Sequence, residues 1–446
     1  RRREARLRTS SGPLSTAPCR AHNRAIVAAA GAEEVLALFD LVGGGFDGCN
    51  LSTALSRVAK FSAGGEAVDL ARLRPLQAAA VARLHEFSLR HACSVVWSLG
   101  KLGARDVPLL EAAAALVAAR FRELSPKDVG IVSWGFAATR YRHTPALSAI
   151  GAMAIDMHEL LNPTELANVV WGFATLQFRQ GQVMAKLAAA CTATAGAYQS
   201  KELASVLWSY SSLGYRDDHP TRSDSPLFSR IGDLLAARVA DFDPQGLTNL
   251  VWSYANIMHR APEGLLRGCA ARFDELWALL KPQEIANALW AYERLGSTVL
   301  AVRAAEWLRG EADGGRPPDL GGWTGEQLVK LVGCLEAQLP GPCPTAAAAA
   351  FERRFFGPVC SFFRELPAGI GRQEYSRVLG SFGLFHLGPR LTPRALAALG
   401  LSLGASGADA AFRGAAAQVL LRHYVEGEAA PAVREPAMLH GGQTTS

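Results

Sequence analysis

Apolar residues recur along the chain at the three- and four-residue spacing of a helix. Between 161 and 176, Leu166, Val169, Val170, Phe173 and Leu176 fall on one side of such a helix. The stretch from Pro145 to Leu160 repeats the pattern with Leu147, Ile150, Ala154 and Met157. Start signals precede segments of the first kind: Ser125-Pro126, Asn162-Pro163, Asp243-Pro244 and Lys281-Pro282. Proline suits a first helical position because no intrahelical amide bond is lost there. The pattern predicts two alternating amphipathic helices: a B helix of about fourteen residues after each start signal, and an A helix between successive B helices.

The tryptophans show how often the pair returns. Trp97, Trp134, Trp171, Trp208, Trp252 and Trp290 are separated by 37, 37, 37, 44 and 38 residues. Their surroundings match: SVVWSLGKLG, IVSWGFAATR, NVVWGFATLQ, SVLWSYSSLG, NLVWSYANIM and NALWAYERLG. Degenerate copies place Ser56, Lys330 and Gly380 at the Trp position, for about nine units. An isolated helix pair cannot bury its apolar faces, but stacked pairs can. The fold expected is therefore all-α: an α-solenoid of about nine helix-pair repeats with a period of about 37–40 residues, and with extended concave and convex surfaces. True tetratricopeptide repeats place Leu-Gly three and four residues after Trp, whereas Leu213-Gly214 stand five and six after Trp208.

Sorting residues by their offset from Trp separates core from surface. An aromatic in each repeat could stack on the bases of a single strand, but the Trp recurs strictly inside an apolar segment, so it is expected to pack between units. Offsets −3, +1 and +4 fall on one helical side, and that side is mostly polar or small. At −3 stand Ser94, Ile131, Asn168, Ser205, Asn249 and Asn287; at +4 stand Lys101, Ala138, Thr175, Ser212, Asn256 and Arg294. In modular RNA readers one or two variable side chains per repeat meet one base. The same Asn and Ser side chains would equally serve to satisfy polar partners in the next repeat. Offset +8 is Arg105, Arg142, Arg179, Arg216 and Arg260 in five consecutive units. One guanidinium per repeat suits a backbone with one phosphate per nucleotide. A cation just past a helix C-terminus also suits capping of the last carbonyls, and the sequence leaves the two roles open.

Composition changes this picture only at the N-terminus. The formal charge is +6, and residues 1–24 alone account for it, with seven arginines against the single acid Glu4. The same stretch is rich in Ser, as in a mitochondrial or plastid transit peptide; the alternative is a disordered basic tail that touches nucleic acid. The eight cysteines are widely spaced, with no CxxC and no metal-ligand pattern, so neither a metal nor any cofactor is expected. No apolar run is long enough to span a membrane. Nucleotide-binding, metalloprotease and serine-hydrolase motifs are missing, and GGGFDG at 43–48 reads as a turn between helices, so no enzymatic activity is expected. The segments expected are a targeting or disordered basic segment at 1–24, the solenoid at 30–390, capping helices at 391–425 and a disordered tail at 426–446. Loops are expected at 217–226 and 339–350.

The words VLALFDLVGGGFDGCNLSTALSRVAKF at 35–61 and the recurrent LxPxELANVVWGFATL type at 161–176 resemble the octotricopeptide and heptatricopeptide repeat proteins of algal and protist organelles. The array is also similar to the helical leucine-rich region of the FAST-kinase-like family and to a helical subunit of kinetoplastid RNA-editing substrate-binding complexes. The resemblance spans roughly residues 35–390. It implies an organellar factor in RNA processing, stability, editing, translation or ribosome assembly, mitochondrial or alternatively plastid. Its implied partners are single-stranded organellar mRNA or rRNA and other RNA-processing or ribosomal proteins. The Pro-Pro-Pro-Glu-Trp word of octotricopeptide repeats is absent, as is a recognisable RAP domain, so nuclease activity is not implied; the Gly-rich loop, VAIK lysine, HRD and DFG words are missing too, so kinase activity is not implied either. The other function class open to such an array is a protein-interaction solenoid, a structural subunit of an organellar ribosome or RNA-processing complex.

Overall fold

The computed structural model describes residues 17–215, 226–311 and 318–324, with Gln327, Lys330, Leu331, Cys334, Leu335, Gln338 and Leu339. Every α-helix in it follows the two-helix rhythm. The B layer comprises α1 (Ala17–Ala28), α3 (Gly48–Ala63), α5 (Leu89–Leu102), α7 (Pro126–Ala138), α9 (Pro163–Thr175), α11 (Ser200–Ser212), α13 (Pro244–Asn256) and α15 (Pro282–Arg294). The A layer comprises α2 (Ala32–Val42), α4 (Leu70–Ala82), α6 (Val107–Arg120), α8 (Thr144–Asp156), α10 (Gly181–Thr194), α12 (Pro226–Ala236), α14 (Glu263–Leu276) and α16 (Val299–Arg309). No strand occurs among the described residues. The chain divides into two compact units, the first reaching Leu234 and the second starting at Leu235. Within each, B helices pack on B and A on A, neighbour to neighbour, so the architecture is an α-solenoid.

Five B helices share one kind of entry. A buried apolar residue comes first, with Phe46, Phe87, Leu124, Leu161 and Phe242 all under a tenth exposed, and Phe46, Phe87, Leu124 and Phe242 in extended conformation. The N-cap follows, with Asp47, Ser88, Ser125, Asn162 and Asp243 each accepting the amide three residues on. Glu165, Glu202 and Glu284 reach back to accept the N-cap amide of Asn162, Gln199 and Lys281. At Asp47, Ser125 and Asn162 the bonds run both ways, and together they satisfy donors that a helix start leaves orphaned.

The exit is as regular. Offset +6 takes the left-handed conformation at Gly103, Gly214 and Gly296, and also at Arg140, Gln177 and Met258. The next residue then donates its amide back to the carbonyl at +2: Ala104 to Leu99, Tyr141 to Phe136, Phe178 to Phe173, Tyr215 to Tyr210, His259 to Tyr254 and Ser297 to Tyr292. This is a Schellman close, and its apolar contact is aromatic. Phe136–Tyr141, Phe173–Phe178, Tyr210–Tyr215 and Tyr254–His259 have ring centroids 6.2, 5.2, 5.0 and 5.8 Å apart. The chain thereby turns into the next A helix with +8 as its second residue past the left-handed position.

The predicted core stripe Leu166, Val169, Val170, Phe173 and Leu176 is buried, as are Leu147, Ile150, Ala154 and Met157 of the A partner. The tryptophans are not core in the same sense. All six B-helix tryptophans keep part of their surface exposed, while the fully enclosed aromatics sit two residues on, at Phe136, Phe173, Tyr210, Tyr254 and Tyr292. Offset +1, grouped by the sequence with −3 and +4, is instead where B helices meet. A Cβ at Gly135 would stand 2.7 Å from the Val96 carbonyl oxygen, and one at Gly172 would stand 2.9 Å from that of Ser133. Where +1 is serine, at Ser98, Ser209 and Ser253, the side chain is fully buried and bonds its own helix four residues back, at 2.6–2.7 Å.

One boundary differs from the expectation. Residues 17–24, drawn from sequence into the basic segment, form the first turns of α1, which packs on α3 with Cys19 and Ile26 buried. GGGFDG forms a short 3₁₀ turn over Gly43–Gly45 and then the N-cap of α3. Residues 1–16, the 217–225 part of the first expected loop, the Gly380 unit, and the assignments at 391–425 and 426–446 lie outside the described residues. So does the expected loop at 339–350 apart from Leu339.

Candidate nucleic-acid interface

Geometry on a B helix follows from the 100° turn per residue. Trp, −3, +4 and −7 lie within about 60° of one another, and the close B–B packing at +1 flanks them. That face is half-buried at −3, 0 and +4, with exposed residues at −7.

In the first unit the face is continuous from α5 to α11. Trp134 and Trp171 lie nearly parallel, with centroids 6.4 Å apart and planes 22° apart. Lys101, at +4 of α5, places its ammonium 4.7 Å from the Trp134 ring centroid, so +4 of one repeat and Trp of the next belong to one surface. Asn168 and Ser205, at −3, are half-exposed, and no hydrogen bond engages their side chains. At the α9 and α11 positions, Thr175 Oγ1, Ser212 Oγ and Trp208 Nε1 are buried with no hydrogen-bond partner. The second unit carries the same arrangement between α13 and α15, where Trp252 and Trp290 stand 6.3 Å and 26° apart. There Asn249 at −3 is half-exposed with an unengaged side chain, and Asn256 at +4 is half-buried.

Two of the candidate side chains have structural work. Arg294 donates to the Ala255 carbonyl at 3.1 Å and lies over its own Trp290 at 5.2 Å. Asn287 accepts from Gln283 and from Lys330 at 3.0 and 3.2 Å. The reading of −3 as a partner to the next repeat thus holds for Asn287 and fails for Asn168, Ser205 and Asn249.

The arginines at +8 behave alike. Arg105, Arg142, Arg179 and Arg260 are exposed, and none donates to a carbonyl or carboxylate of a described residue. The carbonyls they were candidates to cap are closed by the backbone amides of the Schellman turn instead. Arg105 lies near enough to Tyr141 to lower its phenol pKa. Burial and the hydrogen bond to Glu111 outweigh it and raise that pKa to about 12. Arg216 lies outside the described residues.

The structure adds residues that offsets around Trp did not single out. At −7, Arg90 and Lys127 are exposed on the tryptophan face, without an acidic partner among the described residues. Lys201 occupies the same offset in α11. The signal was present as a 37-residue spacing from Arg90 to Lys127, but it lay at the helix start, where charge is ordinarily solvated. No cluster of His, Cys, Asp or Glu able to hold a metal occurs among the described residues, nor is any described helix long and apolar enough to cross a membrane.

Residues 116–221 match the family model described as RNA-editing substrate-binding complex 6 protein. The match covers just under a quarter of the chain and includes α7 to α11 with Trp134, Trp171 and Trp208. It supports the expected likeness to helical RNA-editing complex proteins and leaves the octotricopeptide likeness without support of its own. No curated protein matches the chain significantly.

Proposed function

We propose that this chain is an RNA-binding helical-repeat scaffold, without catalytic activity of its own, that works within an RNA-processing assembly. The observation that carries the reading is the row of exposed, unpaired arginines at one offset, beside a face of half-exposed polar and aromatic side chains. A guanidinium row without protein partners is suited to forking onto phosphate oxygens. The match to an RNA-editing substrate-binding complex protein over the same repeats supports an RNA-processing role. The arginine- and serine-rich residues 1–24 favour a mitochondrial site of action, with the plastid as the alternative.

A second reading, a protein-docking solenoid in such an assembly, is favoured by the balance of charge beyond residue 24. Binding of a labelled single-stranded RNA pool across salt separates the two. The full chain is compared with a variant in which Arg105, Arg142, Arg179, Arg216 and Arg260 are changed to Ala. The RNA reading expects binding that weakens steeply with salt, and a salt slope smaller in the variant by about one for each phosphate contact removed. A well-folded chain that binds no RNA ends that reading and leaves protein docking.

A further inference from the structure

A ring that only fills a core gains from complete burial, at roughly 25 cal/mol per Å². The aromatics at +2 have it: Phe136, Phe173, Tyr210 and Tyr254 are 0% exposed and Tyr292 1%. The tryptophan two residues earlier has the largest apolar face of any side chain, yet it remains part-exposed in all six repeats. Its position is set by register. Trp134 reaches back over α5, where its Cζ3 would lie 2.9 Å from a Cβ on Gly100, so the glycine makes room for the indole.

The pairs Trp134–Trp171 and Trp252–Trp290 arise in different compact units and still agree within 0.1 Å in spacing and 4° in tilt. Rings in full face-to-face contact stand about 3.5–4 Å apart. At 6.3–6.4 Å the rings of each pair therefore overlap only in part. In the first unit the tryptophan face is bordered by cations at both helix ends: Arg90 and Lys127 two turns before the tryptophan, Arg105, Arg142 and Arg179 just after the helix. Two cations already sit on rings, Lys101 on Trp134 and Arg294 on Trp290.

We propose that the indole file is a stacking platform for the unpaired bases of single-stranded RNA, with the phosphates drawn to the cations beside it. The proposal rests on the RNA-binding reading and adds what the RNA must offer: exposed base faces, not charge alone. Aromatic side chains take any base by its π-face, so the platform tolerates sequence. A duplex hides those faces and offers this surface only its phosphates. The +4 side chains then differ from step to step, with Lys101 beside Trp134 in one, and Thr175 and Ser212 with buried, unengaged hydroxyls in the two repeats that follow Trp134's. Any preference among bases would come from these.

The test uses the full chain and three ligands of equal length: single-stranded RNA, an abasic strand with the same phosphates, and duplex RNA. Wild type is expected to bind the single strand tightest. Trp134→Leu and Trp171→Leu are each expected to weaken single-strand binding about 10-fold while leaving the abasic affinity and the salt slope unchanged, which also shows that the fold is intact. Trp134→Tyr and Trp171→Tyr, which keep a π-face, are expected to retain most of the affinity. Equal wild-type affinity for RNA and the abasic strand overturns the stacking platform while the phosphate-binding reading stands. Unchanged RNA binding in the Leu variants overturns it too. No binding to any of the three overturns both and leaves the file as a protein-docking surface.

Discussion

The two layers of the solenoid differ in how they treat charge. In the A layer many arginines are matched to acids, although Arg74 and Lys186 are exposed without an acidic partner among the described residues. Arg72 bonds Glu33 and Asp40 across α2 and α4, Arg120 bonds Glu123, Arg267 bonds Glu263, and Arg303 reaches Asp274. On the B side, Arg90, Lys127, Arg105, Arg142, Arg179 and Arg260 face outward without such a partner among the described residues. Packing differs as well. B helices meet through glycine and serine at +1, whereas Gly181 and Gly264 of the A layer have nothing within 4 Å of a Cβ position. Unpaired cations beside part-exposed rings are what the proposed anionic partner would require.

The largest effect expected in testing this contrast concerns the core that the A layer seals. Burial raises the Cys191 thiol of α10 and the Cys269 thiol of α14 from their ordinary value to about 12. Burial likewise raises the phenols of Tyr198 and Tyr292. The folded chain holds these protons while the unfolded chain releases them from about pH 9 upward. Stability is therefore complete below about pH 9 and is lost as pH climbs toward 12. Urea unfolding at rising pH should show this, and Cys191→Ala with Cys269→Ala should flatten the decline; an unchanged decline would place its cause elsewhere.

Next in size is the packing difference. Gly135→Ala should cost about 2–3 kcal/mol, because the obstructing atom is a backbone carbonyl that cannot swing away. Gly264→Ala should stabilise by about 0.5 kcal/mol through the unfolded chain. Equal effects in thermal unfolding would mean that the B helices are not held by close approach.

A smaller effect separates the cations. Arg303 has a side chain only 14% exposed and lies 4.8 Å from the Trp277 ring, so Arg303→Ala should destabilise by about 1–2 kcal/mol. Arg142→Ala should change stability by less than about 0.5 kcal/mol, since its role lies outside the fold. A loss at Arg142 comparable with that at Arg303 would return the +8 row to a structural role. The smallest effect is at the exit turn. Met258, exposed and at φ 55°, should gain about 0.5–1 kcal/mol of stability on change to Gly, measured by the unfolding midpoint.

Much of this was legible in the chain before any coordinates. The 37-residue return of Trp, the Pro-marked starts and the stripe from Leu166 to Leu176 depend only on neighbours within one helix, so they specify the helix pairs and their stacking. The Schellman exits were half visible, since Gly103, Gly214 and Gly296 sit at +6, but Arg140, Gln177 and Met258 carry no such mark. The aromatic at +7 that closes on +2 was written in Tyr141, Phe178 and Tyr215 and went unread, because its partner lies five residues back across a helix end.

The sequence by itself determined the helices, their order and the offset at which arginine returns, since each follows from local periodicity. Whether an offset points inward or outward depends on the neighbouring repeat, tens of residues away. Only the tertiary structure placed +1 in the contact between B helices, left the indoles part-exposed, and set Arg294 and Asn287 to work inside the fold while Asn168 and Ser205 stay half-exposed. The +8 arginines show the same division: local spacing put them in register, and backbone amides closing the turn left Arg105, Arg142, Arg179 and Arg260 without a carbonyl or carboxylate partner among the described residues.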